Sequence, residues 1–162
     1  MTPPVIRKMR SDDLAGVIDV LKIWNMAPIA PTPEIPDPER SKILVENTFV
    51  ADIGGRIAGT ASYIVHSPEI AETASFAVHP DFIGSSLAAA LQTARLKEMR
   101  SRGILKVRTE TDRERLVKWL VAKFGYQVIG SNPKKHAFGL PEIDVWTVLE
   151  LDLTTWQTSC CV

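Results

Sequence analysis

Cysteine is almost absent from this 162-residue sequence, and its only two, Cys160 and Cys161, are neighbours, so no disulfide framework staples the fold. Net charge is absent as well. Nineteen Lys and Arg balance nineteen Asp and Glu, which removes the basic surface that nucleic acid or an anionic membrane would demand. No uninterrupted apolar run approaches the length of a membrane span, and residues 1–10 lack the apolar centre of a signal peptide. A cytoplasmic location is therefore expected, with no membrane and no nucleic-acid partner. His66, His79 and His136 are far apart and show no metal-ligand spacing, so no metal is expected. What is present suits one compact domain: the chain is 45% hydrophobic, enough to bury a sizeable core.

The hydrophobic pattern alternates between strand and helix. Residues 5–9 read as a short strand, and Ser11-Asp12-Asp13 then caps a helix with Leu14, Val17, Ile18 and Leu21 at helical spacing. Pro28, Pro31, Pro33, Pro36 and Pro38 exclude helix and central strand between 27 and 38. Asp37-Pro38 opens a short second helix to about residue 46. Residues 48–53 and 56–65 flank Gly54-Gly55 as a hairpin, followed by a strand at 70–78 and a helix at 86–102 stopped by Gly103. A strand at 104–110, a helix from a Thr111-x-x-Glu114 capping box to Lys123, and strands at 126–130 and 145–153 complete the pattern. The expected domain spans 1–153. Residues 154–162 are expected to be a mobile tail with an exposed thiol pair.

Residues 78–91 carry the strongest chemical signal. An apolar strand (Ala74, Phe76, Val78) enters a short loop that opens an alanine-rich helix. Such a corner points free backbone N–H groups and the positive end of a helix dipole at one spot, which suits a phosphate or pyrophosphate.

The wording of this stretch resembles the cofactor-binding segment of the GNAT superfamily, the CoA-dependent N-acyltransferases. Val78, Pro80, Phe82, Gly84, Ala88 and Leu91 carry the match. Ile83 stands where the family usually has Arg or Gln, and Ser86 where it has a glycine. The likeness continues in Ile6-Arg7 with residues 12–14, in Phe49-Val50-Ala51-Asp52 with residues 55–59, and in Lys123-Phe124-Gly125-Tyr126. It covers about residues 5–153.

The resemblance implies an α/β (α+β) fold, with a mixed central sheet of about seven strands flanked by about four helices. It implies an acyl-CoA co-substrate, acetyl-CoA foremost, whose pantetheine arm lies between the strands at 70–78 and 104–110. Phe76, Ala77 and Val78 would bind that arm through their backbone and polarise the thioester, and Ile83, Gly84, Ser85, Ser86, Leu87 and Ala88 would cradle the pyrophosphate. Glu72 is the candidate base, placed by side-chain alternation on one face with Ala74 and Phe76, and Glu110 is the alternative. The family's helix tyrosine, a proton donor, falls on Val121, which cannot donate. The acceptor is expected to be an amine of a small molecule or peptide, with Trp24, Met26 and Tyr63 as substrate-binding candidates and Glu34, Asp37 or Glu39 attracting its charge. Homodimers occur often in this fold. A module that binds CoA or a partner protein without turnover is the alternative, favoured by Ile83, Ser86 and Val121.

Overall fold

The computed structural model describes residues 2–34, 36, 42–134 and 139–157. Seven strands form one mixed sheet: β1 (Val5–Lys8), β2 (Thr48–Ile53), β3 (Arg56–Val65), β4 (Ile70–Val78), β5 (Lys106–Thr111), β6 (Gln127–Pro133) and β7 (Val145–Asp152). Their order is β1-β2-β3-β4-β5-β7-β6, antiparallel throughout except where β5 runs parallel to β4. Three helices are found among the described residues: α1 (Leu14–Ile23), α2 (Leu87–Ser101) and α3 (Glu114–Trp119), the last running into a wider π-helical turn at Leu120–Phe124. The expected α/β architecture and seven strands are observed, with one helix fewer. Residues 37–41, where the second helix is expected to start, lie outside the described residues, while residues 42–44 are not helical and Val45–Asn47 forms a single 3-10 turn.

The two faces of the sheet are covered differently. Val17, Val20 and Leu21 of α1 pack on Val50 and Ala77. Leu96 and Met99 of α2 pack with Leu120 and Phe124 on Tyr63, Ala71, Val107 and Leu149 of the opposite face. The N-terminal half of α2 comes so close to β3 that a Cβ on Gly59 would lie 2.8 Å from Leu91 Cδ1 and 3.2 Å from Ala77 O, so any side chain there would have to push Leu91 aside. Arg7 fastens the β1–β2 edge to the start of α1 by ion pairs to Asp13 at 2.8 Å and Asp52 at 3.2 Å.

Two features of β4 create a cleft. First, β4 and β5 pair only at Ile70↔Lys106, Ala71↔Val107 and Glu72↔Arg108, and the strands then separate. Second, the β3–β4 register slips between Thr60↔Ala77 and Ser62↔Ala74, leaving Ser75 and Phe76 opposite the single residue Ala61. Ser75 takes a left-handed φ of 51° to make this bulge. The extra residue reverses the alternation expected along β4. Ala71 packs on α2, so Glu72 projects to the α1 side, yet Phe76 joins Leu87 and Leu91 of α2. Glu72 and Phe76 are thus on opposite faces rather than on one.

Three further expectations are corrected. Thr111 ends β5 instead of capping a helix, and α3 begins at Glu114 behind Arg113, whose N–H bonds to Thr111 Oγ1 at 3.2 Å. β6 extends through Pro133, which an edge strand tolerates because the missing donor faces outward. The chain stays packed beyond residue 153: Trp156 is 7% exposed and lies 4.7 Å beneath the Arg100 guanidinium, so the domain reaches at least that far. Cys160 and Cys161 lie outside the described residues.

Candidate active site

A cavity of about 140 Å³ passes through the sheet where β4 leaves β5. Its walls include Glu72, Ala74 and Met26 from the α1 side, and Phe76, Arg95 and Leu116 from the α2–α3 side. At its vertex the Thr73 and Thr109 hydroxyls bond to each other across the parting strands. Glu72 and Glu110 also line a second groove of about 330 Å³ with His66, Arg108 and Asn132, so the two carboxylates stand where cavity and groove meet.

Each carboxylate has a polar neighbour that the sequence did not announce. His66 Nε2 lies 2.8 Å from Glu72 Oε2, brought there by the tight β3–β4 connection. Asn132 Nδ2 donates to Glu110 Oε1 at 2.6 Å from the edge strand β6. Neither residue stood out in the sequence, because the pairing depends on strand register rather than on spacing.

The backbone of β4 is apportioned by its ladder. His79 N–H donates to Ala58 O at 2.8 Å, and alternation then turns the backbone groups of Ala77 toward Thr60 of β3. Ala77 therefore does not present its amide to the opening. Val78 does, and its carbonyl accepts from the indole Nε1–H of Trp24 at 3.0 Å. The Arg113 guanidinium sits 4.9 Å over the same indole, so Trp24 spans the mouth of the split instead of lining the cavity.

The α1 rim is held by short tethers. Gly139 N–H donates to Asn25 O at 3.1 Å, and Asn25 Nδ2 returns to Gly139 O at 3.3 Å. Asp112 accepts from Leu140 N–H at 2.7 Å and pairs with Lys134 at 2.8 Å, an ion pair almost wholly out of water. Met26 follows this rim and reaches the cavity. Tyr63 does not. It is fully buried on the α2 face, where its hydroxyl donates to Glu98 at 2.6 Å, and burial first, then that carboxylate, push its pKa up to about 12. Asp37, Glu39 and His136 lie outside the described residues.

Past β4, Pro80–Phe82 forms a 3-10 turn and the chain enters α2. Gly84 has a φ of 86° and open space where a side chain would stand. Ile83, Gly84, Ser85 and Ser86 are exposed, Ala88 is half-buried, and Leu87 turns its side chain into the core beside Ala51 and Ala58. Ser85 and Ala90 amides are bonded to Phe82 O and Ser86 O, while those of Gly84, Ser86 and Ala88 have no backbone partner among the described residues. Arg56 brings a cation here, 5.4 Å over the Phe82 ring and 3.3 Å from Asp81. The open cradle, free amides and helix dipole fit a pyrophosphate. Among the described residues no cluster could hold a metal ion, and no helix is long and apolar enough to cross a membrane.

Comparison with known proteins bears on the fold and the family. The family model described as Acetyltransferase (GNAT) family matches residues 17–126. The fold is shared with Ard1 from Thermoplasma volcanium at 20% identity and a TM-score of 0.71, over 92% of this chain and 97% of that one. It is shared with yncA from Salmonella typhimurium, solved with its cofactor acetyl-CoA, at 16% identity and a TM-score of 0.71, over 99% and 100%. The ribosomal-protein-S18-alanine N-acetyltransferase from Escherichia coli gives 14% identity and a TM-score of 0.70, over 99% of each chain. A search of the curated proteins finds no match. With more than half of its length matched by the family model, the chain belongs to the acetyltransferase (GNAT) family.

Proposed function

We propose that the protein transfers an acetyl group from acetyl-CoA to a primary amine of a small molecule or peptide by direct attack. The observation that carries this reading is the three-residue pairing of β4 with β5, which opens a cavity through the sheet between a free strand edge and two carboxylates. The pantetheine arm would lie along β4, displacing the Trp24 indole from Val78 O, and the pyrophosphate would rest on the amides of Gly84, Ser86 and Ala88. Val78 N–H, on the open edge, takes the role of polarising the thioester carbonyl.

The acceptor enters through the groove beside His66 and Asn132. Glu72, acting directly or through one water, takes the ammonium proton, and His66 passes it outward. The free amine then attacks the thioester carbon. A C–N bond forms, the attacking nitrogen sheds its second proton to water, the C–S bond breaks, and the thiolate leaves with the bonding pair and takes a proton from water. No tyrosine stands in for the family's proton donor, since Val121 is 42% exposed and absent from the cavity walls. The acyl-CoA chemistry is expected in the cytoplasm.

Thiol release from acetyl-CoA in the presence of a panel of small amines and peptide N-termini tests this reading. Turnover with at least one amine is expected, together with a fall of about 100-fold in kcat for Glu72→Gln at unchanged acetyl-CoA affinity. Equal kcat in the variant would remove Glu72 from the mechanism.

A further inference from the structure

Two polar side chains lie where α2 is otherwise apolar. Gln92 and Arg95, one helical turn apart, are 0% and 2% exposed among Leu91, Leu96 and Met99. Among the described residues no carboxylate lies within ion-pairing distance of Arg95. Burial lowers its pKa to about 10, which leaves it charged at neutral pH. A buried cation without a counter-ion is costly, and packing alone would be met more cheaply by leucine or methionine.

The bonds of Arg95 show what offsets that cost. Nη1 donates to Ser62 O at 2.9 Å and to Ala74 O at 3.4 Å, the residues whose pairing borders the β4 bulge. The guanidinium carbon lies 4.8 Å over the ring of Phe76, one of the two bulged residues. Nε and Nη2 both donate to Gln92 Oε1. Gln92 Nε2 donates in turn to Tyr126 OH at 3.0 Å. One side chain therefore grips β3, the residue before the bulge and a residue within it, and through Gln92 joins Tyr126 at the entry to β6. It also lines the cavity.

We propose that Arg95 is a positioning residue for acyl transfer, locking the β4 bulge and setting an uncountered positive charge beneath the part of the cleft that holds the thioester. This rests on the reading of that cleft as the acyl-transfer site. The bulge fixes which backbone groups face the opening, and a displaced Val78 amide would no longer meet the oxyanion. The charge acts in the same direction, because negative charge grows on the thioester oxygen and then on the departing sulfur. Neither effect touches the pyrophosphate loop, so the consequences fall on kcat rather than on cofactor affinity.

The test uses the full chain, an amine that the wild type acetylates, and three readouts: kcat, acetyl-CoA Kd and thermal unfolding. Arg95→Met keeps the volume and removes both charge and fork. It is expected to lower kcat about 100-fold with Kd within about threefold. Arg95→Lys restores the charge without the fork and is expected to recover about tenfold of that loss. A merely structural residue would lower the unfolding temperature without this split, and lysine would rescue nothing. Should Arg95→Met fail to fold, Arg95→Lys carries the test: a kcat equal to wild type overturns the proposal, and a fall of about tenfold at unchanged Kd supports it. An active wild type with an equally active Arg95→Met overturns the proposal alone. A wild type that releases no thiol with any amine overturns the acyl-transfer reading and the proposal with it.

Discussion

Replacing Ser86 by aspartate separates what α2 needs from what a pyrophosphate needs. Ser86 stands at the N-cap of α2, is exposed, and makes no side-chain capping bond. Aspartate is among the best N-cap residues and complements the helix dipole, so the helix should gain a few tenths to about 1 kcal/mol. Cofactor binding should move the other way. A carboxylate about 5 Å from a pyrophosphate of about two charges costs about 0.8 kcal/mol per charge in a water-like medium, the limit appropriate to an exposed loop. Adding the amides and dipole that the new carboxylate would satisfy brings the penalty to about 2 kcal/mol, a weakening near 30-fold. Isothermal titration with acetyl-CoA measures this directly. The weakening should shrink toward its dipole part in 1 M salt, where screening reaches about 3 Å. Ser86→Ala should change little, since no capping bond is lost. A Ser86→Asp protein that unfolds no earlier yet binds acetyl-CoA as tightly as wild type would refute the placement of the pyrophosphate.

Two stability predictions address the frame around the site. Gly59→Val drives a Cβ to 2.8 Å from Leu91 Cδ1 and 3.2 Å from Ala77 O, and should cost about 2 kcal/mol. Thermal unfolding should fall by about 5 °C, and an unchanged midpoint would show that α2 does not approach β3 so closely. Arg7 and the Arg10 amide hold the Asp13 carboxyl down to about 2, below its ordinary 3.8. The folded state thus favours the charged form, so this contribution is full above about pH 4 and is lost as pH falls toward 2. Asp13→Asn should cost up to about 2 kcal/mol at neutral pH and flatten the acid limb of a stability profile, whereas parallel profiles would contradict it.

Much of the fold was legible because its signals are local. Gly54-Gly55 between two β-rich runs marks the β2–β3 hairpin, and Gly103 marks the end of α2. The cofactor loop was legible for the same reason, since Gly84 and the alanine run stand together in sequence. What escaped depends on pairing across strands. The β4 bulge falls on Ser75 and Phe76, neither of which announces a break in alternation, so Phe76 was expected beside Glu72 and Ala77 was expected to face the cofactor. Tyr63 resembled a cleft residue only because nothing in its own neighbourhood reveals Glu98 on α2 and Arg102 just past its end. Gln92 and Arg95 carry no local mark of burial, and only the packed structure shows them buried. His66 and Asn132 reach the carboxylates through turns and register, neither of which leaves a motif.

The most direct measurement is amide hydrogen exchange of the protein with and without acetyl-CoA. Protection is expected at Val78 and at Gly84, Ser86 and Ala88, the groups that face the split and the loop, with little change along β1, β2 and β6. Protection confined elsewhere, or exchange that acetyl-CoA leaves unaltered, would contradict a cofactor bound between β4 and β5.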